Sequence, residues 1–173
     1  MYMLFLTLEI IIGFVIFRTV FPQQGPCSTF INVINDTERK NSHTINLTTD
    51  NAFSDDRLLA GWYKVEIADS QMSNTPPGVF QCGTWYPIWL NGTLPRIPGV
   101  EGIGQVCLQT FYSECSESWT IKFELCCDGK YVYELRSSSV IDSAYCFGQD
   151  DSSLNPECFP ICQATHVLLL DKS

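Results

Sequence analysis

The chain has 173 residues, 10 of them Lys or Arg and 19 Asp or Glu, for a formal net charge of −9. That length holds one ordinary domain and little more. The acidic balance, with Arg39–Lys40 as the densest basic stretch, excludes a nucleic-acid binder, which needs clustered cations for phosphate, and 13% aromatic residues exclude a disordered chain.

The first element in chain order is the apolar run Leu4–Val20, strongest from Ile10 to Phe17. It has the length of a signal-peptide core and is short for a spanning helix, which needs about 20 apolar residues. Glu9 interrupts it, no basic residue precedes it and no small-residue cleavage site follows. The expected signal peptide, residues 1–21, therefore departs from the usual pattern. An uncleaved membrane anchor is the alternative. Arg18 on its C-terminal flank would then hold the cysteines in the cytosol, where disulfides do not persist. A buried helix of the fold is the least favoured reading.

Residues 22–57 are polar, rich in Asn and Thr, and read as loop with one short strand near Thr29–Ile34. They form the glycosylated N-terminal part of a module whose cysteine-rich core is expected at 58–148. Between Leu58 and Ala68, Val65 and Ile67 alternate with Lys64 and Glu66, the period of a strand. The segment SNTPPG, 73–78, is a turn, and Phe80–Leu90 is aromatic-rich and ends on the turn dipeptide Asn91-Gly92. Pro95–Gly104, with two prolines and three glycines, reads as loop. The cleanest alternation sets Trp119, Ile121, Phe123 and Leu125 against Thr120, Lys122 and Glu124. Asp128-Gly129 and a second run with Tyr131, Tyr133 and Leu135 on one face follow, which predicts a β-hairpin near 119–135. Residues 149–173 read as a linker and a truncated cysteine-containing tail, and no internal repeat is visible.

Nine cysteines stand at Cys27, Cys82, Cys107, Cys115, Cys126, Cys127, Cys146, Cys158 and Cys162. That is heavy use for a reducing compartment. Zinc sites favour paired knuckles or His partners. Here Cys158 and Cys162 have no second knuckle, and His43 and His166 lie away from the central cysteines. Disulfides are favoured, with no metal and no cofactor. Three N-x-[ST] sequons, at Asn35, Asn46 and Asn91, point to the same exported compartment.

Catalytic signals are weak. A nucleophile needs a base and an orienting acid, and the two histidines sit in the flanks. Gly99–Gly104, GVEGIG, has the wrong spacing for a phosphate loop and no helix pattern after it. Asp50, Asp55, Asp56, Asp150 and Asp151 do not follow a calcium-loop pattern and read as solvated acids. Among the aromatics, Trp62 and Trp89 are expected in the core. Trp85 and Tyr86, in a predicted loop, are the candidate ligand contacts, since exposed aromatics dominate binding hot spots.

Four segments in order carry a resemblance: GPCSTF at 25–30, GWYKVEIADSQM at 61–72, CGTWYPIWLNGTLP at 82–95, and CCDGKYVYEL at 126–135 followed by AYC at 144–146. They resemble the extracellular cysteine-rich domain family shared by uromodulin, the pancreatic zymogen-granule membrane glycoprotein and oncoprotein-induced transcript proteins, with W-L-N-G as the most specific part. Family cysteines are replaced near Asp55 and at Pro76, Glu114 and Ile141. The resemblance implies that the first and last of these positions are one bonded pair in the family and the middle two another, so both partners of two bridges are lost together. It implies three retained bridges here: Cys27–Cys126, Cys82–Cys146 and Cys107–Cys115. Cys127 could replace Cys126, and Cys158 and Cys162 lie outside the domain. Three surplus cysteines cannot all pair within the chain, so one is free or bridges to another chain. Some relatives carry an N-glycan directly after Y-V-Y that lures bacterial lectins; Glu134 stands there instead, so that activity is not carried over. The sequon at Asn91 is kept, and the family His after W-L-N-G-x is Leu94.

The expectation is a mainly β, or small α+β, compact disulfide-stabilised extracellular module, non-catalytic, with a structural or adhesive protein-interaction role. The alternative is a receptor- or lectin-like binder using Trp85 and Tyr86; an unrecognised hydrolase comes third. Expected partners are extracellular proteins or glycans, with no nucleic acid, with a membrane only if the N-terminal segment stays as an anchor, and with an intermolecular disulfide open to the odd cysteine.

Overall fold

The computed structural model describes residues 25–68 and 70–149. The expected signal segment lies outside them, as do Asp150, Asp151, Cys158, Cys162 and His166. The strands are β1 (Asn32–Ile34), β2 (Gly61–Val65), β3 (Gln71–Met72), β4 (Tyr86–Asn91), β5 (Glu101–Leu108), β6 (Glu117–Leu125), β7 (Tyr131–Leu135), β8 (Ser143–Tyr145) and β9 (Phe147–Gln149). One helical turn, α1 (Pro26–Thr29), and a 3-10 turn at Thr37–Arg39 are the helical pieces among the described residues. The architecture is mainly β, as the alternating runs predict.

A seven-stranded sheet has the order β1-β2-β7-β6-β5-β4-β8, and β3 pairs with β9 in a second, two-stranded sheet. The expected hairpin is present: β6 and β7 are antiparallel, with Phe123 opposite Tyr133 and Leu125 opposite Tyr131. Its turn closes through the Cys126 N–H on the Lys130 carbonyl at 2.8 Å and the Gly129 N–H on the Cys126 carbonyl at 3.0 Å. Gly129 has φ +79°, a conformation that favours glycine over other residues.

One expectation fails in an informative way. Glu101–Gly104 is not loop but the first half of β5, paired with β6. Gly102 faces Phe123, and a Cβ on Gly102 would stand 2.3 Å from that ring. A Cβ on Gly104 would stand 2.9 Å from it. The glycines leave the space into which the phenylalanine of the next strand lies, so they serve packing rather than turning.

The core is built from Val65, Ile88, Leu90, Val106, Leu108, Phe123, Leu125, Tyr131, Tyr133, Tyr145 and Phe147, all buried. The buried tyrosines also have to place their hydroxyls. Tyr133 Oη accepts the Met72 N–H at 2.9 Å and donates to the Ser70 carbonyl at 3.2 Å. Tyr131 donates to the Pro95 carbonyl at 2.7 Å, Tyr145 to that of Arg136 at 2.9 Å, and Tyr63 to that of Leu59 at 2.8 Å. Each hydroxyl thus fastens one loop to the sheet. Burial pushes the Tyr145 hydroxyl up to about 12 and that of Tyr133 well above its ordinary value.

Asp55 is a second correction. It is not solvated but 2% exposed. Its carboxylate takes both Arg39 guanidinium nitrogens, Nη1 at 2.8 Å and Nη2 at 2.9 Å, and accepts the Tyr145 N–H at 2.9 Å. Its own N–H donates to the Ser143 carbonyl at 2.7 Å and its carbonyl accepts the Ser138 N–H at 3.0 Å. Asp55 therefore covers the outer edge of β8 with its backbone and side chain together. The Arg39 guanidinium rests 4.8 Å over the Phe53 ring. Burial opposes its charge, but the Asp55 hydrogen bonds and the neighbouring carboxylates hold its pKa above the ordinary value.

The structure contains the disulfides Cys27–Cys126, Cys82–Cys146 and Cys107–Cys115, the pairs the resemblance implies. They tie α1 to the end of β6, the approach to β4 to the β8–β9 junction, and the two ends of the β5–β6 loop. Cys127 is disulfide-bonded as well. At the positions where the resemblance places a lost bridge, Asp55 holds Ser138 and Ser143 by hydrogen bonds while Ile141 is exposed.

Candidate functional site

The β5–β6 loop, residues 109–116, is polar apart from Phe111 and Tyr112. The Cys107–Cys115 disulfide pins its base. Inside it the Thr110 N–H meets the Ser113 carbonyl at 2.8 Å, and the Gln109 N–H meets the Pro87 carbonyl at 2.9 Å. Too short to fold back over the core, it presents its tip outward: Phe111 is 52% exposed and Tyr112 is 98% exposed.

A second loop, residues 78–85, stands beside it. Phe80 and Cys82 have φ of +67° and +63°, left-handed conformations that are costly for such residues and persist where neighbouring contacts fix them. The Cys82–Cys146 disulfide and the bond from the Phe80 N–H to the Trp85 carbonyl at 3.1 Å provide that fixing. The two loops are joined by the Gly78 N–H donating to Gln109 Oε1 at 2.9 Å. Trp89, buried as expected, supports the floor by donating Nε1 to the Glu114 carbonyl at 2.8 Å.

Rings from both loops meet edge to face. Phe80 lies 5.9 Å from Trp85 and 5.3 Å from Phe111, and Tyr86 lies 5.5 Å from Phe111 and 6.5 Å from Trp85. Trp85 is 38% exposed, and Tyr86 is half-buried against the core. Next to the rings a cleft of about 420 Å³ runs between Gly78–Val79 and Gln109–Glu114, where Glu114 is the single charged lining residue. Pro76 and Glu114 are the other pair of lost family cysteines, so this cleft lies beside the site of a missing crosslink. The arrangement offers apolar ring edges and backbone polar groups; it is built for contact.

The expected ligand contacts Trp85 and Tyr86 thus belong to a larger cluster. Phe80, Phe111 and Tyr112 were missed. The available signal was two adjacent aromatics in a short, otherwise polar, cysteine-bounded loop, which cannot bury both. Trp62 is half-buried on β2 and does not join the cluster's ring contacts. The sequon asparagines Asn35, Asn46 and Asn91 are all exposed. Among the described residues no group of three or more His, Cys, Asp or Glu is placed to hold a metal ion, and no helix is long and apolar enough to cross a membrane. His43 sits in an ordered bridge rather than a loose flank, its carbonyl accepting the Cys82 N–H at 2.7 Å.

A β-rich module held by disulfides, with an aromatic surface on bridged loops, defines the class. Residues 63–147 match the family model of the uromodulin-like cysteine-rich domain, and this module belongs to that family of extracellular glycoprotein domains. Similar proteins include mouse (Mus musculus) uromodulin, 30% identical over 138 residues, 78% of this chain and 20% of the relative. The human (Homo sapiens) pancreatic secretory granule membrane major glycoprotein GP2 is 28% identical over 110 residues, 62% of this chain and 20% of the relative. Rat (Rattus norvegicus) uromodulin is 33% identical over 109 residues, 61% of this chain and 16% of the relative. The chain thus spans about a fifth of the length of the curated relatives it matches.

Proposed function

We propose that the chain is a secreted or cell-surface glycoprotein module with a structural or adhesive protein-interaction role and no catalysis of its own. The observation that carries this reading is the cluster of Phe80, Trp85, Phe111 and Tyr112 held outward by two disulfide-pinned loops. Rigid aromatics give large contact area at little entropic cost and dominate interface energetics. Disulfides on this scale fit an oxidising compartment. The three exposed sequon asparagines and a relative whose name describes a glycoprotein favour an N-glycosylated chain.

The test is retention of the secreted chain on plates coated with basement-membrane extract or with purified mucin. Saturable retention that weakens at least about tenfold in the double variant Phe111→Ala/Tyr112→Ala supports an interaction surface there. Equal retention of the variant and the parent would sink it. The exposed Trp85 indole also favours a second, lectin-like reading. A saturable change in Trp fluorescence on titration with free oligosaccharides, abolished by Trp85→Ala, would select it.

A further inference from the structure

We propose that an N-glycan on Asn46 lies over the aromatic cluster and governs access to it. The inference deepens the interaction reading given above and rests on it. The sequon Asn46-Leu47-Thr48 is exposed throughout. Its position follows from an isolated bridge between two loops: Thr44 pairs with Gln81 in antiparallel sense, the Cys82 N–H donates to the His43 carbonyl at 2.7 Å, and the Ile45 N–H donates to the Phe80 carbonyl at 2.9 Å. One residue further along the same direction, Asn46 stands beside Val79 and Phe80. Val79 lines the cleft together with Phe111 and Tyr112, and the Phe80 ring touches both Trp85 and Phe111. A glycan on Asn46 therefore begins at the rim of the cluster.

The chemistry of the two surfaces matches. The C–H face and acetamide methyl of N-acetylglucosamine are apolar and cover aromatic rings, as other amphipathic groups do. The rest of the rim supplies hydrogen-bond partners for sugar hydroxyls, with Thr110, Ser113 and Glu114 lining the cleft. The base of the glycan is also steady. Asn46 Oδ1 accepts from the Thr48 N–H at 3.0 Å and its hydroxyl at 2.7 Å, and the Asn46 N–H donates to Asp50 at 2.8 Å. That last bond and the Thr49 hydroxyl hold the Asp50 carboxyl below its ordinary pKa. An anchored stem keeps the first sugars near the rings instead of sweeping through solvent. Nothing comparable places the other two sequons: Asn35 follows β1 and Asn91 ends β4.

The experiment uses the full chain secreted from eukaryotic cells, with glycan occupancy read by peptide mapping and accessibility of Trp85 read by acrylamide quenching. Trp85→Phe identifies the Trp85 share of the signal. With Asn46 occupied, Asn46→Gln and Thr48→Ala should each raise the Trp85 quenching constant about twofold, because sugars over one indole face hide about half of its area. Asn35→Gln should leave it unchanged. Removing the glycans from the folded parent with peptide N-glycosidase should give the same rise with no change of folding history. An unmodified Asn46, or quenching that stays the same in both sequon variants and after deglycosylation, would overturn the proposal. Failure of the adhesive reading is separate: it shows as equal plate retention by Phe111→Ala/Tyr112→Ala, whatever the quenching.

Discussion

Two regions of this molecule use the same kind of side chain to opposite ends. In the large sheet Phe123, Tyr131, Tyr133 and Tyr145 are fully buried. In the loops 78–85 and 109–116 Phe111, Tyr112 and Trp85 face solvent. The difference lies in what fixes the backbone. Sheet aromatics sit at alternate positions of long pairings, so half of each strand is committed inward. Loop aromatics sit on short segments whose shape is set by Cys82–Cys146 and Cys107–Cys115. A bridged loop holds its rings in place without burying them, which is what a contact surface needs. Aromatic content thus says little about role until the backbone constraint is known.

The largest effect expected is on the sheet side. Asp55→Ala leaves the Arg39 guanidinium buried without its bidentate partner and frees the edge of β8. Breaking such a pair should lower stability by about 3–5 kcal/mol. Chemical denaturation of the secreted protein checks this, with Asp56→Ala as a neighbour expected to change little. A loss no greater than that of Asp56→Ala would show that Asp55 does not close the edge.

Next comes the loop side. Replacing Cys107 and Cys115 together by Ser removes a crosslink across a sequence separation of 8 residues. Loop-closure entropy for so short a ring puts the loss at about 2.5 kcal/mol. The comparison sharpens if the unfolding transition stays cooperative while the Phe111 and Tyr112 signals in NMR become averaged. It breaks if the rings keep one environment without the bridge, since the loop would then be held by its hydrogen bonds alone.

A third variant asks whether the sheet depends on empty space. Gly102→Ala places a methyl group against the Phe123 ring, 2.3 Å away before any adjustment. Overpacking of this kind should lower the thermal midpoint by the equivalent of about 1–3 kcal/mol. Adding Phe123→Leu should restore part of the loss. If the double variant is worse by the sum of the two changes, Gly102 and Phe123 are not coupled.

The pattern of what the sequence made legible follows the same division. The hairpin of β6 and β7 was readable because the period-two alternation from Trp119 to Leu125 fits a strand and not a helix. The first half of β5 was not, because Gly102 and Gly104 carry the composition of a loop and reveal their role only when Phe123 of the neighbouring strand is in place. Arg39 and Asp55 lie 16 residues apart with no spacing rule to join them, and Asp55 among other acids looks like a solvated surface. The surface was half legible. Trp85 and Tyr86 stood out in the segment CGTWYP, whereas Phe80 and Phe111 meet only after β4 and β5 pair and bring their loops together.

The smallest expected change in stability is the one that tests the comparison most directly. Phe111→Ala and Tyr112→Ala alter side chains that are 52% and 98% exposed, so each should leave stability within about 0.5 kcal/mol of the parent. Tyr133→Ala, by contrast, empties a fully buried site and orphans the Met72 N–H it accepts. The informative readout for the loop pair is therefore not stability but dye binding. Exposed apolar patches bind hydrophobic fluorophores, so deglycosylated parent protein should enhance 1-anilinonaphthalene-8-sulfonate emission and the loop double variant should not. If the double variant is instead as destabilised as Tyr133→Ala, the rings at the tip are holding the fold together, and the separation between a structural sheet and a presenting loop collapses.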